Sequence, residues 1–115
     1  MARVKRGLMR HKRHRKIINE ASGYFGRKSR TFKHAHEQVM KSGQYAFRDR
    51  RARKREFRKQ WIARISAASN ECGIKYNELI HAMTVKGIQV NRKMLSELAI
   101  ADMDAFKAFV KEATA

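Results

Sequence analysis

Residues 48–59 hold eight cations, Arg48, Arg50, Arg51, Arg53, Lys54, Arg55, Arg58 and Lys59, among twelve positions. A guanidinium forks across two phosphate oxygens and stacks on bases, whereas an ammonium acts as a point charge. Arg predominates in the run, so the chemistry it offers is the fixing of a polyanion's geometry and not adhesion alone; exchanging these Arg for Lys at constant charge should weaken defined binding. On a helix turning 100° per residue the cations cover about two-thirds of the circumference, leaving Tyr45, Asp49, Ala52 and Glu56 on one narrow face. Most charge runs are solvated helix faces, but a run that wraps the helix does not fit that explanation. Arg50 with Lys54, Arg51 with Arg55, Lys54 with Arg58 and Arg55 with Lys59 are like charges four apart, each costing about 0.2–0.5 kcal/mol. Phosphates on several sides would offset the roughly 1–2 kcal/mol total and release condensed counterions. The arrangement suggests insertion between RNA segments more than docking on one groove.

A second basic run, Arg3, Lys5, Arg6, Arg10, Lys12, Arg13, Arg15 and Lys16, opens the chain. On its own it also reads as a solvated or disordered basic tail. Arg27, Arg30 and Lys33 lie between the two runs, and Tyr24, Phe25, Phe32, Tyr45 and Phe47 are interleaved with the cations. Aromatic rings in such company either stack on unpaired bases or pack against one another at bends. Tyr24 and Tyr45 are the better stacking candidates. The candidate RNA-binding set is thus the N-terminal run, Arg27, Arg30, Lys33, the two tyrosines, and Arg48, Arg50, Arg51, Arg53, Lys54, Arg55 and Arg58.

Other chemistry finds little support. His11 and His14 are three apart and His34 and His36 two apart, but no second Cys or acidic cluster accompanies them and the surrounding positive charge repels a metal cation. No metal or other cofactor is expected. Cys72 reads as a small core residue and His81 as a surface one. The chain has no Gly-rich phosphate loop, no interpretable Ser/His/Asp set and no paired carboxylates, so it is not read as an enzyme acting on a small-molecule substrate; a ribonuclease using His and Lys is the one catalytic alternative.

The elements that must position these residues follow from charge and glycine placement. Of 115 residues 28 are Lys or Arg and 10 are Asp or Glu, a formal charge of +18. Residues 1–60 carry 21 of those cations and 4 of the acids, so nearly all the charge lies in the first half. With a lone Cys and no apolar run of membrane-span or signal-peptide length, a cytoplasmic-type compartment and no membrane partner are expected. The Arg-rich start also allows a transit peptide to be read, although such a segment is normally Ser-rich as well.

There is no Pro, and glycines at 7, 23, 26, 43, 73 and 87 are the main punctuation. Residues 8–21 carry Leu8, Ile17 and Ile18 without an apolar stripe, so disorder is expected there until RNA binds. A hinge at 23–26 precedes a thin stripe of Phe32, His36 and Val39 that ends at Gly43. Residues 44–72 should form one helix of roughly 43 Å, entering a core at about Phe57 through the stripe Phe57, Trp61, Ile65, Ala68 and Cys72. Beyond Gly73, Tyr76, Leu79, Ile80 and Met83 define a helix that stops at Gly87. Asn91 caps the next, with Val90 and Leu95 as a hydrophobic staple, and Asp102 caps a last helix carrying Met103, Phe106, Phe109 and Val110. The fold class is all-α: residues 1–59 form a basic helical extension, disordered without RNA and broken near 23–26 and 43, and residues 60–115 a compact helical domain. A helix-turn-helix regulator would carry its charge on the folded part, and a membrane-active peptide would need a broad apolar face opposite the charge. Neither pattern is present.

The segment GQYAFRDRRARKREFRKQWIARISAA, residues 43–68, resembles the signature of ribosomal protein L20 of bacteria and plastids in its Gly-Gln-Tyr-Ala start, its Arg-Asp-Arg-Arg run and its Trp-Ile-Ala-Arg-Ile. Ala2-Arg3-Val4-Lys5-Arg6-Gly7, Gly23-Tyr24, Ser29-Arg30 and Gly73-Ile74 fall at that family's spacings too. The match runs from residue 2, which removes the transit-peptide reading, to about residue 112; Lys75 and residues 81–86 depart from the family's pattern. The resemblance implies a basic extension threaded through large-subunit (23S-type) rRNA, a small helical domain at the subunit surface, neighbouring ribosomal proteins, and an early role in assembly. It places the chain in the cytoplasm, or in the plastid stroma if organellar. Some members repress translation of their own messenger through the C-terminal domain, which implies that mRNA as a further partner.

Overall fold

A computed structural model describes Arg3 and residues 5–115; Ala2 and Val4 of the N-terminal motif lie outside the described residues. The elements are α1 (Arg6–Glu20), a 3-10 turn at Gly26–Ser29, α2 (Phe32–Glu71), α3 (Tyr76–Val85), α4 (Arg92–Ala101) and α5 (Met103–Thr114). Every regular element among the described residues is helical, with no strand. The chain divides into two compact units, Met1–Arg51 and Ala52–Ala115. The division falls inside α2, eight residues before the expected boundary between 59 and 60.

Residues 6–20 form α1 although they lack an apolar stripe, because local packing supplies what periodicity does not. The His14 ring stacks on Phe32 with centroids 3.7 Å apart and planes at 16°, and Phe32 in turn lies 5.5 Å from His36. Ala21 and Ala35 are fully buried, and the Tyr24 hydroxyl and Ser42 Oγ share a hydrogen bond of 2.6 Å. These contacts between residues 14–24 and 32–42 stabilise helical segments that would be marginal alone. The expected break at Gly43 is corrected: this residue lies inside α2 without a positive φ. A helix-interior Gly costs only about 1 kcal/mol relative to Ala. With no Pro nearby and no left-handed C-cap at this position, the long helix continues through it. The break at 23–26 is present, where α1 has ended and the 3-10 turn begins.

In the second unit the core is Ile65 and Ala68 from α2, Leu79 and Met83 from α3, Leu95 from α4, and Phe106, Val110 and Ala113 from α5. Cys72, Ile74, Ile88, Val90, Leu98, Met103 and Phe109 pack around it. The stripe on α2 therefore enters the core at Ile65 and not at Phe57, which is 47% exposed. Helices α3–α5 are only 10 to 12 residues each, and their apolar faces cover only the last turns of α2.

Both long turns close by one device. After α2, the Ile74 N–H donates to Ser69 O and the Gly73 N–H to Asn70 O, with Gly73 at φ +78°. After α3, the Ile88 N–H donates to Met83 O and the Gly87 N–H to Thr84 O, with Gly87 at φ +68°. These are Schellman caps, whose left-handed residue favours Gly. The N-termini are capped as the residue types suggest. Asn91 Oδ1 accepts from Met94 N at 2.8 Å, and Asp102 Oδ1 accepts from Asp104 N and Ala105 N, both at 3.0 Å. Lys75 has no side-chain acceptor, so at α3 only the return half of a capping box forms, with Glu78 accepting from Lys75 N at 3.1 Å. Replacing Asp102 by Ala removes two N–H partners and a negative charge at the start of α5. It should lower stability by about 1–2 kcal/mol, read as a drop in the urea midpoint with unchanged slope.

Candidate nucleic-acid interface

Of the cations of 48–59, Arg48, Arg50 and Arg51 belong to the first unit and Arg53, Lys54, Arg55, Arg58 and Lys59 to the second. Every one of them is exposed. Few acids compete for them. Arg48 Nε is bound to Asp49 at 2.8 Å and Lys59 Nζ to Glu56 at 3.1 Å, while Arg50, Arg51, Arg53, Lys54, Arg55 and Arg58 are in no ion pair among the described residues. The hydrogen bond and charge of Asp49 raise the Arg48 pKa above its already high value, so Arg48 remains cationic.

Part of the run is positioned by its own aromatic rings. Arg51 places its guanidinium 3.9 Å from the Phe47 ring centroid and donates to Phe47 O at 3.1 Å. Lys41 Nζ and Arg48 Cζ lie 5.1 and 4.8 Å from the Tyr45 centroid. Cations at these distances gain about 0.5–1 kcal/mol at exposed sites. Tyr45, a stacking candidate by sequence, thus carries its own cations, and Phe47 does too, with both rings about half exposed. Tyr24 is partly buried with its hydroxyl engaged by Ser42, and Phe32 packs between His14 and His36. Phe25 is the freest ring, 92% exposed.

On α1, Arg6, Arg10, Lys12, Arg13, Arg15 and Lys16 are all exposed, as are Arg3, Lys5, Arg27, Arg30 and Lys33. Two shallow grooves follow this surface. One is lined by His11, Lys12, Arg15, Lys16, Asn19 and Glu20, the other by Lys5, Arg6, Met9, Arg10 and Arg13. Loss of water around the His14 ring, then repulsion from Arg10, Arg13 and His11, lowers the His14 pKa from its ordinary value of 6.5. The neutral ring is therefore the form favoured in the folded state. Stability from the His14–Phe32 stack is present above the ordinary histidine value and is lost as pH falls through the lowered one. As pH falls from about 7.5 to 5, the protection of the α1 amides, measured against the intrinsic exchange rate at each pH, should decrease, and His14→Gln should abolish that decrease.

One surface grouping escaped the periodic reading. Arg92 and Lys93 lie far along the chain from the basic runs, yet they share a cavity with Lys54, Arg58 and Trp61. Nothing local in 91–93 announces this, since the grouping depends on α4 packing beside α2. His81 is exposed and Cys72 packs against the core, both as expected. Among the described residues no three His, Cys, Asp or Glu side chains are grouped as a metal would require, and no helix is long and apolar enough to cross a membrane.

Fold and surface together define a class: a small all-helical polycation whose charged helices carry few acids to neutralise them. Residues 3–109 match the family model described as Ribosomal protein L20. A relative from Parvibaculum lavamentivorans, "Large ribosomal subunit protein bL20", is 52% identical over 115 residues, covering 100% of this chain and 98% of its own length. A protein of the same name from Macrococcus caseolyticus is 56% identical with the same coverage. One from Buchnera aphidicola subsp. Acyrthosiphon pisum is 49% identical over 113 residues, covering 98% of this chain and 96% of the relative. The chain belongs to the ribosomal protein L20 family.

Proposed function

We propose that this protein is a structural component of the large ribosomal subunit that binds 23S-type rRNA directly and organises it early in assembly, beside neighbouring ribosomal proteins. The observation that carries the reading is the unpaired, exposed cationic wrap on α2. Six cations without carboxylate partners, pointing to several sides of one helix, suit phosphates that approach from several directions. Residues 1–59 act as the rRNA-threading part and residues 60–115 as the compact domain. The contacting set comprises Arg3, Lys5, Arg6, Arg10, Lys12, Arg13, Arg15, Lys16, Tyr24, Arg27, Arg30, Lys33 and Tyr45, with Arg48, Arg50, Arg51, Arg53, Lys54, Arg55 and Arg58. On the strength of the family resemblance, the reading includes the protein's own messenger as a second RNA target and the ribosome as its site of work.

Chemical footprinting of deproteinised large-subunit rRNA, with and without the protein, tests this at near-physiological salt, where non-specific cationic binding is weakened. Protection at a few defined junctions is expected. Diffuse protection that disappears as salt is raised would reduce the protein to a generic polycation and overturn the assembly role.

A further inference from the structure

Four cations converge in the second unit, Lys54 and Arg58 from α2 and Arg92 and Lys93 from the first turn of α4. With Trp61 and Asn91 they line a cavity of about 410 Å³. None of the four is in an ion pair among the described residues. Arg92 Nε donates to the Tyr76 hydroxyl at 2.8 Å, which holds the guanidinium in place and leaves its two terminal nitrogens for another acceptor. Asn91 uses its Oδ1 to cap α4 through Met94 N, so its amide nitrogen is the group left to donate. Trp61 is partly exposed and braced by Phe57, with ring centroids 6.2 Å apart and planes at 27°.

We propose that this cavity receives one unpaired nucleotide of RNA, its phosphate taken by the cations and its base laid on the Trp61 indole. The inference rests on the RNA-binding reading above and deepens it by assigning a discrete site in the helical domain. Three features select this ligand class. Concentrated positive charge without acids calls for an anion, and a guanidinium with free terminal nitrogens suits a phosphate that can accept a forked pair of bonds. A braced aromatic ring beside the cations suits a base that has left its helix, because the faces of a paired base are covered by its neighbours. The volume lies near the lower end of the roughly 300–1,000 Å³ typical of small-ligand sites, which suits a single residue of a polymer and not a duplex end.

Trp61 is the one tryptophan in the chain, so intrinsic fluorescence of the full-length protein reports on this cavity alone. The protein is titrated at near-physiological salt with a single-stranded oligoribonucleotide, an abasic strand of the same length, an RNA duplex and polyglutamate. Retention of large-subunit rRNA on a filter is measured in parallel. The single strand should quench Trp61 emission by about half or more, as a stacked base does, whereas the abasic strand, the duplex and polyglutamate should leave most of it. Lys93→Gln, a change at an exposed position, should weaken the binding read by quenching about fivefold to tenfold. Equal quenching by the abasic strand, the duplex or polyglutamate would overturn the nucleotide site, as would an unchanged affinity in Lys93→Gln. Retention of rRNA without any quenching would also overturn it while leaving the RNA-binding reading intact. Absence of rRNA retention would remove both.

Discussion

Replacing Arg50, Arg51, Arg53 and Arg55 together by Gln should lower affinity for large-subunit rRNA by about 10²–10³-fold at physiological salt and reduce the salt-dependence slope by roughly 3–4. The slope is the more telling number, because each phosphate that the protein no longer neutralises keeps about one counterion. All four side chains are exposed and none is in an ion pair among the described residues, so the loss to the fold is confined to Arg51, which gives up its place over the Phe47 ring and its hydrogen bond to Phe47 O. It also relieves the like-charge pair Arg51 with Arg55 and the pairs Arg50 and Arg55 make with Lys54 and Lys59, each worth about 0.2–0.5 kcal/mol. Relief and loss are of similar size, so the free variant should stay about as helical even as it binds less tightly. Exchanging the same four for Lys separates charge from geometry. The slope should then persist, while protection at defined junctions weakens because an ammonium cannot reproduce the forked guanidinium pairing. A Lys variant with unchanged affinity and footprint would show that charge alone matters. A Gln variant with an unchanged slope would place these cations outside the interface.

The parts of this molecule that were legible in sequence are those whose causes are local. Asn91 and Asp102 announce α4 and α5 because a short acceptor side chain before an apolar period has one main use, and each accepts the N–H groups that use requires. Gly73 and Gly87 mark helix ends for a similarly local reason, the left-handed backbone of a Schellman cap. Gly43 carries the same residue type without those partners and is helical, so the type alone does not end a helix. What sequence missed depends on neighbours brought from elsewhere. α1 shows no apolar stripe, and its support comes from Phe32 and Ala35 in the next helix. Phe57 stands at the right spacing for the core but outside the reach of α3–α5. The candidate interface divides in the same way. Its cationic wrap follows from 100° steps along one segment, while the grouping of Arg92 and Lys93 with Trp61 exists only once the second unit has folded.

Phe106→Ala should be the most damaging single substitution for that second unit. Phe106 is fully buried and is the largest of the fully buried side chains, in a core shared by α2, α3, α4 and α5. Truncating a buried Phe removes its transfer free energy and leaves a cavity the surroundings fill only partly, together about 3–5 kcal/mol. A unit this small rarely has more than about 3–5 kcal/mol to lose, and nothing else stiffens it, since Cys72 is free and cannot form an intramolecular disulfide. The variant should therefore be largely unfolded over α3–α5 at 25 °C, seen as reduced helical circular dichroism and as disappearance of the slowly exchanging amides of the second unit. Phe106→Leu, which keeps most of the volume, should remain folded with a loss of about 1–1.5 kcal/mol. Val85→Ala, at a position 72% exposed, should change stability by no more than about 0.5 kcal/mol. A loss below about 1 kcal/mol in Phe106→Ala would mean that the helices hold together without this side chain at their centre, and the packing described for the second unit would be wrong.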